Sequence, residues 1–292
     1  MPELPEVEVI RRQIEPLVKG RTLSRVETTS PSYFFVTPPA ALKRGLKGRQ
    51  VSALERLGKY LLLRFIDGAG LLLHLGMTGQ LFCTGCYSPR LLSRESRASV
   101  DEKVGRAVFK PDIHTHLVLH FNDHGPSLYF RDARKFGKVQ LLRPNQRSAR
   151  LAKLGVDALR ATGDELYRLT RNRKRAIKSL LLDQSLIAGI GNIYADEALF
   201  VAGIRPTKRA PRISREQSFA IITAVRSVMQ RSIQSGGSSI SDYLQPDGRD
   251  GGYQDELMVY AREGQPCLRC GTCIKRVVIG GRSARYCPRC QR

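Results

Sequence analysis

The hydrophobic rhythm of the chain changes once, near its middle. Pro2, Glu3, Pro5 and Glu6 suit a first helical turn, where proline loses no needed hydrogen bond and carboxylates favour the positive dipole end; the helix is expected to run to about Val18. Short β-rich segments follow at residues 22–28, 50–57, 60–66 and 70–75, then at 115–121, 127–130 and 137–142, parted by Gly or Asp and with 122–125 as a hairpin turn. They predict an antiparallel meander or sandwich. Residues 87–105 are polar, rich in Arg and Ser and without periodicity, and predict a mobile loop. From Asn145 the pattern becomes helical, with candidates at 163–170, 176–182, 192–201 and a long helix from the Ser214 cap to Gln234, ended by Gly236 and Gly237. The tail after Gln265 is too poor in apolar residues to have its own core. The expectation is an α+β protein with an N-terminal antiparallel β-sandwich domain (1–144), a helical domain (145–262) and a cysteine module (263–292).

Composition adds a partner. No apolar run approaches the ~18 residues of a membrane span, and 292 residues favour more than one domain. Lys and Arg number 49 against 26 Asp and Glu, a formal charge of +23 shared almost evenly by the two halves. Both halves are therefore expected to face one polyanion, with nucleic acid favoured over a merely solvated basic surface or a membrane. The acidic, proline-punctuated start lacks the regions of a secretory signal, so a reducing cytoplasm is expected and the seven cysteines need an explanation other than disulfides.

Cys267-x2-Cys270 and Cys287-x2-Cys290, separated by 16 residues, match a four-cysteine zinc pattern, with 277–281 able to form the hairpin that brings the pairs together. Cys270-x2-Cys273 is an alternative first pair. Arg269, Lys275, Arg276, Arg282, Arg285, Arg289 and Arg292 decorate this small unit, as suits a hairpin pressed against phosphates. Cys83, Cys86, His114 and His116 could form a second cluster, but unliganded thiols are the expectation there.

Removal of Met1 would leave Pro2 as a secondary amine at a helix entrance, able to attack a sugar anomeric carbon and form an iminium that permits strand-breaking elimination, with Glu3 beside it for proton transfer. A Pro-Glu start also serves simply to begin a helix. Its weight comes from Met1-Pro2-Glu3-Leu4-Pro5-Glu6-Val7-Glu8 together with residues 58–62 (GKYLL), 74–79 (HLGMTG), 132–137 (DARKFG), 189–197 (GIGNIYADE) and the cysteine tail. In this order the motifs resemble the bacterial formamidopyrimidine-DNA glycosylase family along nearly the whole chain. The resemblance implies a monomeric, zinc-containing enzyme of base excision repair in the bacterial cytoplasm or nucleoid. It would excise oxidised purines (8-oxoguanine, formamidopyrimidines) from duplex DNA and nick the strand by β,δ-elimination.

By the same resemblance Pro2 is the Schiff-base nucleophile, Glu3 the acid for base loss, Lys59 a proton donor in β-elimination and Arg282 its counterpart in δ-elimination. His74, His114, Arg173, Lys178 and Asn192 become DNA contacts, Asn192 in a helix-two-turn-helix, while Met77, Arg134 and Phe136 fill the space vacated by the everted nucleotide. Apart from the resemblance, Lys59 and Arg282 read as ordinary phosphate contacts, since Lys and Arg more often neutralise charge than transfer protons, and Met77 and Phe136 are better assigned to a core. Lys135, Cys273 and Ser241 depart from the family pattern. An endonuclease VIII-like specificity for oxidised pyrimidines, disfavoured by Leu4, and a non-catalytic zinc-stabilised DNA-binding protein are the rivals.

Overall fold

The computed structural model describes residues 1–88, 90, 100, 101 and 106–292. The segment expected as a mobile loop, 87–105, lies for the most part outside the described residues. The chain divides into two units, one of Met1–Ser148 with Ser235–Gly252 and the other of Ala149–Gln234 with Tyr253–Arg292. The sequence reading places 235–252 in the helical part, whereas the chain returns there to the first unit.

The first unit begins with α1 (Leu4–Val18), followed by β1 (Leu23–Thr28), α2 (Pro39–Leu46), β2 (Val51–Leu57), β3 (Tyr60–Phe65), β4 (Gly70–His74) and β5 (Gly79–Cys83). A two-residue pair, β6 (Val100–Asp101) with β7 (Arg106–Ala107), precedes β8 (Thr115–Phe121), β9 (Leu128–Asp132) and β10 (Lys138–Leu142). Two four-stranded antiparallel sheets result, ordered β1-β8-β9-β5 and β10-β4-β3-β2. Alternate residues of each sheet, Leu61, Leu63, Leu71 and Leu73 from one and Leu117, Leu119, Leu128 and Phe130 from the other, enter a common core. Val7, Ile10, Ile14 and Val18 add a helical stripe from α1 to it, so burial of that stripe fixes the position of the helix start. Each such side chain contributes about 1.5–3 kcal/mol by leaving water.

Glu8, on the other side of α1, is charged in a buried place. Burial pushes its carboxyl up, but hydrogen bonds from Arg11, Arg12 and Arg56 outweigh that and hold it at about 2, below its ordinary 4.5. A carboxyl depressed by folding stabilises the fold above its unfolded pKa and loses that contribution as pH falls through the folded one. Urea midpoints should therefore fall more steeply between pH 4.5 and about 2 for the native chain than for Glu8→Gln; parallel curves would show that the cluster contributes nothing.

The second unit comprises β11 (Val156–Asp157), α3 (Gly163–Arg171), α4 (Ile177–Leu181), β12 (Ile187–Ala188), α5 (Asn192–Val201), α6 (Arg215–Gln234) and the hairpin β13 (Lys275–Ile279) with β14 (Arg282–Tyr286). The two-residue β11 and β12 pair in parallel, which pins the turn between α4 and α5 to the rest of the unit. No helix among the described residues is long and apolar enough to cross a membrane.

Candidate active site and nucleic-acid interface

Chemistry at the start of α1 depends on what its first turn does with polar groups. Glu3 caps the helix, and its backbone N–H donates to Glu6 Oε2 at 2.8 Å. The other Glu6 oxygen accepts the Ser238 N–H at 3.0 Å. Pro2 is buried, and Glu3 and Glu6 are 2% and 1% exposed. Ser238 reaches Glu6 because 235–252 is tied to the first unit along its length. Tyr243 donates to Gly236 O, Gln13 to Gln245 at 2.5 Å, Cys83 N–H to Pro246 O at 3.2 Å and Tyr87 N–H to Asp247 O at 3.0 Å. Gly248 has φ +91°, and a Cβ there would lie 2.0 Å from Tyr87 O, so only glycine fits. Nothing in the spacing of 235–252 reveals this return.

Lys59 sits in the β2–β3 turn and is 8% exposed. Arg56 binds Glu8 of α1 at 2.9 Å and the Gly58 carbonyl at 3.2 Å, coupling the Lys59 turn to the helix that presents Pro2 and Glu3. His74 pairs with Tyr60 across β3 and β4, their rings 4.7 Å apart. Its Nδ1 accepts the Gly76 N–H at 3.2 Å, which leaves Nε2 to carry the proton of the neutral ring.

Met77, Arg134 and Phe136 are exposed, two of them apolar side chains at 41%. The core reading of Met77 and Phe136 is therefore set aside. The Arg134 guanidinium lies 4.6 Å from the Phe136 ring centre. Asp132, fully buried, organises both turns that carry the trio: it accepts from Thr78 Oγ1 (2.5 Å), Gly137 N–H (2.7 Å) and Arg134 N–H (3.3 Å). A Cβ at Gly76 would lie 2.6 Å from Gly137 N, so the turns touch backbone to backbone. Asp132 was legible only as part of a matched motif, without a role. His114 is half-buried ahead of β8, its carbonyl accepting the Asp132 N–H at 2.8 Å. His116 is structural: its ring reaches Asp132 O and Thr29 Oγ1, and burial lowers its pKa. Cys83 and Cys86 form no ligand cluster among the described residues; Cys86 packs with Phe82 and Leu244.

In the second unit Asn192 opens α5 behind a Gly191 cap, with its Oδ1 buried and lacking a hydrogen-bond partner. The first-turn N–H groups of such a helix suit a phosphate. Arg173 is half-buried and bonds the Leu169 carbonyl. Lys178, expected among the DNA contacts, is instead 0% exposed and commits Nζ to Asp196 and to Ser283 O, both at 2.6 Å. The other Asp196 oxygen accepts the Arg285 N–H at 3.0 Å. Burial pushes the Asp196 carboxyl up to about 6 against the pull of Lys178. The pair thus clamps α4 and α5 onto β14, the strand that Arg282 begins, and Arg282 itself is exposed.

The Sγ atoms of Cys267, Cys270, Cys287 and Cys290 all lie within 4.8 Å of one another, with edges of 3.9 Å (Cys267–Cys290) and 3.5 Å (Cys270–Cys287). A tetrahedron with Zn–S bonds of ~2.3 Å has edges of about 3.8 Å, so the four thiolates fit zinc and leave no open position. Cys273 is exposed and outside the cluster, its Sγ 3.7 Å from Ile274 O, which settles the first pair as Cys267 and Cys270. Cys267 and Cys287 pack with Phe200, Val259 and Ile274 of the same unit.

Comparison with known proteins draws these elements together. Residues 1–139 match the formamidopyrimidine-DNA glycosylase N-terminal domain, 154–243 its H2TH domain, and 264–292 the zinc finger found in FPG and IleRS. Formamidopyrimidine-DNA glycosylases of Paraburkholderia phymatum and Gluconobacter oxydans are 44% and 40% identical to the chain, each match covering 100% of both sequences. Among solved structures, the MutM (FPG) protein of Thermus thermophilus is 36% identical with a TM-score of 0.82, covering 99% of this chain and 98% of that one. Lactococcus lactis FPG bound to FAPY-dG containing DNA is 31% identical with a TM-score of 0.83, covering 99% and 100%. With N-terminal, H2TH and zinc-finger segments all matched in order and over full length, the chain belongs to the formamidopyrimidine-DNA glycosylase family.

Proposed function

We propose that the chain is a bifunctional DNA glycosylase and abasic-site lyase of base excision repair, acting on oxidised purines in duplex DNA through the amine of Pro2. The observation that carries this reading is the α1 entrance, where a buried proline precedes a buried Glu3 whose backbone is held by Glu6. Once Met1 is removed, the Pro2 nitrogen has a lone pair and lies at the positive end of the helix, which favours its neutral form. It attacks the sugar C1′, and the C1′–N bond to the damaged base breaks with a proton delivered by Glu3; the prolyl nitrogen then gives up its proton, and its lone pair opens the sugar ring at C1′–O4′ as O4′ takes a proton, which leaves an iminium. The resulting iminium acidifies the C2′ hydrogen, and loss of that proton expels the 3′ phosphate; Lys59, beside the helix through Arg56, is the group offered for proton transfer. Arg282 stands exposed on the zinc hairpin, where it can meet phosphate charge. Zinc, when bound, supplies no step and holds the hairpin. The enzyme acts as a monomer in the bacterial cytoplasm.

Met77, Arg134 and Phe136 occupy the duplex after eversion, offsetting a few kcal/mol of lost stacking. Arg134→Ala should therefore slow processing of an intact oxidised-purine duplex much more than nicking of a pre-formed abasic site in single-turnover assays. Equal losses on the two substrates would place Arg134 in general phosphate binding. Paired substrates carrying an oxidised purine or an oxidised pyrimidine test the specificity, with faster product from the purine expected.

A further inference from the structure

A groove of about 500 Å³ in the second unit is lined by Arg205, Thr207, Lys208, Arg209, Arg212 and Arg292. Five of these six are cationic, and none forms an ion pair among the described residues. Elsewhere in the same unit arginines are matched: Arg175 with Asp183, Arg215 with Asp164, Arg285 with Glu263. Uncompensated charge gathered in one concavity raises the local potential, and a polyanion relieves it.

The groove is built on a fixed backbone. The Lys208 and Pro206 carbonyls accept the N–H groups of Ile177 and Lys178 at the start of α4, and the Ala210 N–H donates to Arg175 O at 2.9 Å. Arg205 reaches the Pro288 carbonyl at 3.1 Å, while its Nε is buried with no acceptor. Lys208, Arg209 and Arg212 play no part in the zinc cluster or in the residues assigned to chemistry. Their heads are partly or fully exposed.

We propose that this groove is a further nucleic-acid site of the second unit, which binds phosphodiester groups of duplex DNA and takes no part in the chemical step. Guanidinium groups pair with phosphate and carboxylate alike, but a duplex presents its charges closely and regularly spaced, which meets five clustered cations better than the scattered carboxylates of an acidic protein. The proposal rests on the reading of the chain as a DNA repair enzyme, and it adds to that reading a contact serving affinity and search rather than chemistry.

The test compares the native chain with Lys208→Gln/Arg209→Gln/Arg212→Gln, and with Arg212→Gln alone as a milder variant, each checked for native circular dichroism and zinc content. Binding to lesion-free duplex is measured against salt, and single-turnover nicking is measured on a short lesion duplex and on one several helical turns longer. The triple variant should flatten the log–log salt slope by roughly 2 to 3, since each phosphate contact contributes about 0.9. It should also lose the native chain's preference for the longer duplex while nicking the short one at the native rate. An unchanged slope and an unchanged length preference would overturn the proposal. So would displacement of polyglutamate, and not of DNA, by the triple substitution, which would give the groove to an acidic protein. Equal losses on short and long duplexes would place the groove under the lesion and reject a separate site. A native chain that bound DNA with the expected salt slope yet failed to nick any lesion duplex would refute the catalytic reading and leave the groove intact.

Discussion

Glu3→Gln should slow excision of an oxidised purine by about 10²- to 10⁴-fold, the usual contribution of a positioned general acid or base, while nicking of a pre-formed abasic site falls far less. The side chain keeps its size, and the helix keeps its start, because the Glu3 N–H to Glu6 bond uses only the backbone of residue 3 and a Gln side-chain oxygen can still accept the Glu6 N–H that the Glu3 side chain accepts in the capping box. What disappears is the proton that a departing base requires. A pre-formed abasic site has no base to expel, and its aldehyde can condense with the Pro2 amine without that donor. Single-turnover rates on matched duplexes separate the two steps; similar losses on both would show that Glu3 supports the amine or the fold instead.

Cys287→Ser should take zinc from one ion per chain to none and abolish measurable duplex binding at moderate salt, whereas Cys273→Ser should keep both. Structural zinc sites in small fingers are worth about 10–16 kcal/mol of folding free energy, far more than the few apolar residues around Cys267 and Cys287 can supply. Without the ion, β13 and β14 lose the two knuckles that hold their open end, and with them the placement of Arg282. Lys178 and Asp196 would still clamp β14 at Ser283 O and Arg285 N–H, so the second unit's helices should survive. Metal analysis beside circular dichroism checks both halves of this expectation. Full zinc in Cys287→Ser with none in Cys273→Ser would overturn the ligand set.

Legibility of the chain followed how local each constraint is. Most strands announce themselves by alternation between turn residues, and α5 and β8 occur where the pattern puts them, at Asn192–Val201 and Thr115–Phe121. Strand β5, Gly79–Cys83, was not read from the pattern, although β4 has the same length and burial. Helix α2 escaped because Pro38 and Pro39 read as a loop, although Pro39 serves as the first helical residue, where its missing N–H costs nothing. Spacing favours Cys267 and Cys270 over Cys270 and Cys273 as the first zinc pair, and the geometry leaves Cys273 outside the cluster.

Long-range ties were the least legible. Asp132 meets Thr78 across 54 positions, and Ser238 meets Glu6 across 232, so no local window contains either relation. Lys178 shows the converse limit: the family resemblance implies a DNA contact there, and only the buried Asp196 beside it reveals an internal clamp.

The central claim is that the reacting group is the amine of Pro2. Borohydride trapping on an oxidised-purine duplex, followed by peptide mapping of the covalent adduct, tests it most directly. The account predicts one DNA-linked peptide, modified at the Pro2 nitrogen of chains that have lost Met1, and no adduct from chains that retain it. An adduct mapped to Lys59 or another lysine, or normal trapping with Met1 in place, would contradict the account.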